Sequence, residues 1–223
     1  MKRHLTIGAL AAASLLAKES APVLRLTEAA AVFEEIMKTP DKGIPQDLLE
    51  KAHCIVIVPG LKKAAFIVGG KYGKGYLSCR KAGGTGWSAP GTVRIEGGSV
   101  GFQIGGSETD AILLVMSQRG ADKLLSSEFT IGGEGEAAAG PVGRSASAQT
   151  DALMRAEILS WSRSRGLFAG VSLTGATLRD DLDDNAMLYG KKLDNRTIVT
   201  TSVRPPKAAA RLLALLNRYS RKK

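Results

Sequence analysis

Histidine is nearly absent from this 223-residue chain, with His4 and His53 as its only imidazoles. That scarcity removes His-centred triads and His-rich zinc sets from the catalogue of chemistries open to it. Cysteine is as rare: Cys54 and Cys79 stand alone, with 24 residues between them and no metal-ligand spacing. Aromatic residues make up only 5%. Beyond the N-terminus no stretch reaches the ~18 apolar residues that a membrane-spanning helix needs. What the chain has is glycine, 26 residues of it, and positive charge: 31 Lys and Arg against 21 Asp and Glu give +10 and a pI near 9.8. With 44% hydrophobic and 23% charged residues it is globular, neither disordered nor fibrous, and long enough for one domain with a real core. The charge balance favours anionic partners.

The charge is uneven. Eight basic residues and no acid lie between Asn195 and Lys223, leaving a net of only +2 for the rest. At the other end, Met1-Lys2-Arg3-His4 precedes thirteen uncharged, mostly apolar residues, Leu5 to Ala17. That run is too short to span a bilayer and has the length of a secretory h-region. Residues 1–20 therefore read as a signal peptide, and the expected location is exported, periplasmic or secreted. In that setting Cys54 and Cys79 could be bridged, or could be two buried free thiols.

Val23–Thr39 has helical periodicity, with Leu26, Ala30, Phe33 and Met37 on one face, and Pro45–Lys51 reads as a second short helix. From Cys54 the texture changes to short apolar runs between Gly-rich turns. Cys54–Val58 is expected to be cut off by Pro59-Gly60, with further short strands at 64–68, 75–79, 86–89, 92–95, 100–104 and 111–116. A helix is expected at Ser117–Ser126 and more strands at 129–131, 156–161, 167–173 and 176–178, with a helix or turn near Tyr189. The expectation is an α+β fold: an antiparallel, barrel-like sheet with about three helices on its surface and a C-terminal amphipathic helix. That last helix, Pro206–Lys223, sets Lys207, Arg211, Arg218, Arg221 and Lys222 opposite Leu212, Leu213, Leu215, Leu216 and Tyr219. It could lie in a membrane interface or dock on the sheet with its basic face in water.

Several motif matches fail on context. Gly97-Gly98-Ser99-Val100-Gly101 fits a nucleophile elbow, but strand-like residues follow and no His lies beyond His53. Gly133-Glu134-Gly135-Glu136-Ala137-Ala138 fits a dinucleotide turn, but Pro141 and Gly143 interrupt any helix and two glutamates would repel phosphate. Asp181, Asp183 and Asn185 have calcium-loop spacing, but Ala186 and Lys192 stand where Gly and Glu are needed. No catalytic residues, metal ligands or cofactor emerge, and the chain reads as a non-enzyme. One constellation survives: Lys62, Lys63, Lys71, Lys74, Arg80 and Lys81, interleaved with Gly69, Gly70 and Gly73. Backbone amides freed by glycine, together with lysine charge, suit anionic head groups, although lysines at hairpin tips also simply solubilise an edge.

An ordered series of segments resembles the SYLF domain family. It comprises Ile44-Pro45 to Ala52, Ile55 to Gly60, Gly69-Gly70, Gly73-Lys74-Gly75, Gly86 to Pro90, Gly101 to Gly106, Gly140 to Arg144 and Ser162 to Leu173. The likeness runs from about Leu26 to Leu193. It implies a β-barrel core with surface helices and a non-enzymatic lipid-binding role, phosphoinositide-like in its ligand. It also implies membrane contacts at Arg25, Lys38, Lys42 and the Lys62-Lys63 region, and actin binding as some fungal members show. Residues 21–195 are thus assigned to the lipid-binding domain and 196–223 to a basic tail. The expected partners are anionic phospholipids, reached through the basic loops and, more weakly, through Lys207, Arg211, Arg218 and Lys222. Actin is not expected to be met in an envelope, and nucleic acid is not expected as a partner. The alternative is an envelope structural protein whose basic tail binds a protein or polyanion.

Overall fold

The computed structural model describes residues 19–39, 43–66, 68–83, 85–100, 105–126, 128–133, 136–141, 156–164, 167–170, 173 and 175–221. Residues 1–18 of the expected signal peptide, Lys42, Phe102, Arg144 and Lys222 lie outside them. Nine strands form one sheet, in the order β5(Glu128–Thr130), β9(Thr177–Asp180), β3(Gly91–Val100), β2(Val68–Cys79), β1(Cys54–Phe66), β4(Gly105–Val115), β7(Ile158–Ser164) and β6(Ala137–Ala139), with β8(Leu167–Gly170) also paired to β7. All pairings are antiparallel except β6 with β7. The sheet curls into a half-barrel, so the expected α+β class holds.

The strands are longer than the sequence texture implied. Pro59-Gly60 does not cut the first strand. Pro59 has no amide to donate, and the irregularity is absorbed by a bulge that shifts the register on both neighbours between Ile57 and Lys62. Gly60 takes φ +60° there and donates its N–H to Asp110 Oδ1 at 3.0 Å. The 86–89 segment is not a strand: it contributes one isolated bridge, Arg80 to Trp87.

Both faces of the central strands are covered, which explains why Cys54–Val58 and Ala111–Val115 read as unbroken apolar runs and not as alternation. On the first face Ile55, Ile57, Tyr76, Ile112, Leu114, Leu159 and Trp161 meet α1(Ala21–Lys38), α2(Gln46–Lys51) and α6(Ala210–Tyr219). On the second, Val56, Val58, Leu61, Leu77, Val93, Ile95, Leu113 and Val115 meet α3(Gln118–Leu124) and α5(Asn195–Thr200). The remaining helix, α4(Leu182–Tyr189), starts at Asp181, whose side chain accepts from the Asp184 N–H, and ends at Gly190 with φ +71°. The described residues thus hold six helices, against the expected four or so. The acidic run Asp180–Asp184 is a helix start. The six-residue α5 has the β-branched sequence Thr-Ile-Val-Thr, which hides its helicity.

Candidate functional site

Register brings the lysines of the first hairpin together. Lys63 pairs directly with Lys71, and Lys62 with Tyr72, so the two pairs project from opposite faces at the same end of the sheet. Lys62 is exposed and Lys63 and Lys71 are partly so, and no ion pair holds any of them among the described residues. Burial, reinforced by the neighbouring Lys71 charge, pulls the Lys63 ammonium below its ordinary range. Beside them Gly70 and Gly98 are paired across β2 and β3, and both face open space. Tyr72 is 48% exposed, a large side chain in water at the edge of this basic patch. The sequence reading missed it because one tyrosine between lysines carries no periodic signal.

Lys74 and Arg80 belong elsewhere. The Lys74 ammonium lies 2.6 Å from Asp181 Oδ2 and 3.2 Å from Asp184 Oδ1, and Arg25 holds the other oxygen of Asp184 at 2.7 Å. Partial burial opposes its charge, but the bonds to the two aspartates outweigh this and raise its pKa. Arg80 donates through Nη2 to the Leu49 carbonyl at 2.8 Å and the Ser220 carbonyl at 3.1 Å, and its guanidinium lies 4.4 Å over the Trp87 ring. It therefore satisfies the carbonyl ends of α2 and α6 and is a structural cation, not a free anion site. Lys81 is exposed, but ten residues of extended chain, roughly 30 Å, separate it from Lys71. The six expected cations thus divide into a tip cluster of three, two internal staples and one remote lysine.

Of the two alternatives for the last helix, the structure takes the docked one. Leu212, Leu215 and Leu216 are buried, and Phe33 and Tyr219 meet edge-on with centroids 6.1 Å apart. The apolar face is occupied by α1, leaving only the basic face to solvent. Arg211 on that face pairs with Glu34 at 2.6 Å, while Lys207 and Arg218 are exposed. Of the N-terminal cations, Arg25 is held by Asp184 and Lys38 by Glu34 at 2.6 Å.

At the opposite end of the sheet from the tip lies a cavity of about 850 Å³. Its walls include Lys51, His53, Lys81, Asp122, Leu125 and the two cysteines. Cys54 and Cys79 are register partners and form a disulfide, which resolves the alternative left open by the sequence.

Comparison with known proteins gives a consistent picture. Residues 96–219 match the Ysc84 family model, described as "Las17-binding protein actin regulator". The chain is 35% identical over 181 residues to LAS seventeen-binding protein 3 of Saccharomyces cerevisiae, covering 79% of this chain and 39% of the relative. It is 31% identical over 209 residues to SH3 domain-containing YSC84-like protein 1 of Mus musculus, covering 92% and 59%. The corresponding Xenopus laevis protein is 32% identical over 186 residues, covering 82% and 55%. The chain thus spans about two fifths to three fifths of the relatives it matches, and both the family and the yeast relative are described as binding proteins.

Proposed function

The chain belongs to the Ysc84, or SYLF, family, and from that premise we propose that it is a non-enzymatic protein that docks on anionic phospholipid surfaces through the end of its β1–β2 hairpin. The observation that carries this reading is the cluster Lys62, Lys63 and Lys71, free of ion pairs among the described residues and set beside exposed Tyr72 and the open Gly70–Gly98 pair. Lys63 and Lys71 on one face and Lys62 on the other flank the same end of the sheet, and each cation brought to an anionic surface by that end contributes about 1 kcal/mol. A tyrosine has the amphipathic ring that favours the head-group level of a bilayer. An exported location is part of the reading and is supported by the closed disulfide, a bond that persists in oxidising compartments.

The test is co-sedimentation with phosphatidylserine-containing and neutral vesicles at two salt concentrations. Affinity for the anionic vesicles is expected to fall with salt, and the triple change Lys62→Gln, Lys63→Gln, Lys71→Gln to weaken it about 100-fold. Equal binding of the triple variant and the parent overturns the assignment of this patch.

A protein partner is the second reading, favoured by the Las17-binding description that the family carries. Its surface is the solvent face of α6 with Lys207 and Arg218. Charge reversal there, Lys207→Glu with Arg218→Glu, abolishes partner capture but spares vesicle binding if this second reading holds.

A further inference from the structure

We propose that the cavity at the base of the β1–β2 hairpin is a thiol–disulfide exchange site, in which a small soluble thiol reversibly opens the Cys54–Cys79 bond within the folded protein. Both cysteines line the cavity, whose volume of about 850 Å³ falls in the range of small-molecule sites. A disulfide serving only as a staple needs no such access. Cys79 is the less enclosed of the two residues, 7% exposed against 1% for Cys54, and we assign the incoming thiolate to its sulfur.

The chemistry balances with the thiol as the sole reductant. Its thiolate attacks Cys79 Sγ, the Cys54–Cys79 S–S bond breaks, and the electron pair leaves on Cys54 Sγ, giving a mixed disulfide on Cys79. A second thiolate attacks the small-molecule sulfur of that mixed disulfide and releases the Cys79 thiolate. Two thiols are oxidised to their disulfide, the protein disulfide is reduced to two thiols, and two protons pass from the former to the latter. Lys51 and Lys81 lie along the same cavity and stabilise the departing thiolates, with Glu50 and Asp122 offsetting part of that charge. Anionic thiols are therefore tolerated at the entrance.

The fold survives the opening. The bond joins strands that are already paired at Ile55–Ser78, Val56–Leu77 and Ile57–Tyr76, and β4 holds the far side of β1 from Val115 to Ala111. That ladder keeps the Cys54 and Cys79 Cα atoms, 3.9 Å apart, facing each other in the dithiol form, ready to close again.

The experiment treats the full chain in native buffer with excess reduced glutathione, quenches with N-ethylmaleimide and reads the mass, with far-UV circular dichroism in parallel. The expected result is two labels per chain with the spectrum retained, and, at limiting glutathione, a mixed disulfide that peptide mapping finds on Cys79. Ala82 is exposed and lines the cavity. Replacing it, Ala82→Trp, is expected to slow native-state labelling about tenfold while leaving labelling in guanidinium unchanged. Labelling only after denaturation, loss of the folded spectrum on reduction, a mixed disulfide on Cys54, or an unslowed Ala82→Trp variant each overturns the proposal.

Discussion

Asp181 does two things at one position: its carboxylate caps α4 and grips Lys74. Burial opposes its charge, but the Lys74 bond prevails and holds its pKa below the ordinary carboxylate range. Its stabilisation is therefore complete above the unfolded value and disappears as pH falls through that range. Burial drives Asp110 and Asp180 the other way, so their contribution is present below the ordinary carboxylate range and is lost as pH rises above it. Replacing Asp181 by Asn is expected to cost about 1–3 kcal/mol at neutral pH, and the gap to the parent to shrink as pH falls below the ordinary carboxylate range, as urea unfolding above and below that range measures. At the disulfide, the double change Cys54→Ala, Cys79→Ala removes a loop constraint of about 3 kcal/mol and lowers Tm without abolishing the fold, as calorimetry reads.

At the scale of elements, the β1 bulge and β2 are made for each other. Past the bulge, Val58 and Leu61 lean across β2 at Gly73 and Gly75, where a Cβ would meet Val58 Cγ1 at 2.8 Å and the Ile57 carbonyl oxygen at 2.2 Å. A backbone oxygen cannot swing aside. Gly75→Ala is expected to destabilise by about 3 kcal/mol, measured by denaturant unfolding, even though alanine suits a strand better than glycine. The helices α1, α2, α3 and α6 were legible because their apolar spacing and flanking Ser, Pro and Thr signals are local. Strand lengths were not legible, because Pro59-Gly60 punctuates the sequence while the ladder simply steps over it. The division of the basic residues was not legible either: Lys71 and Lys74 are three residues apart, yet strand alternation sends one toward solvent and the other onto aspartates of a helix more than a hundred residues later. Arg80 could have been suspected only from its neighbours in space, two helix ends and an indole.

For the molecule as a whole, α6 sits in the main core and not beside it. Leu216 is fully buried, and Leu216→Ala is expected to cost about 2–5 kcal/mol in thermal or chemical unfolding while leaving vesicle affinity unchanged at temperatures where the fold persists. That separation is informative, because it removes the apolar side of the last helix from any account of surface docking and leaves charge as the only property it presents. No described helix is long and apolar enough to cross a bilayer. Docking through exposed lysines, as proposed above, weakens as salt rises.

The stapling of Ser220 to Arg80 and Trp87 reaches beyond energetics into the order of events during biosynthesis. The Ser220 hydroxyl accepts from the indole of Trp87 at 2.8 Å, and its carbonyl holds the guanidinium that also gathers in the end of α2. The first helix likewise waits for a partner some 180 positions later, Phe33 for Tyr219. A nascent polypeptide emerging from the ribosome must therefore keep α1 and part of the first face of the sheet uncovered until nearly all of the sequence here has been made. During that interval the bare leucines and isoleucines of the first face are natural clients for a holdase chaperone.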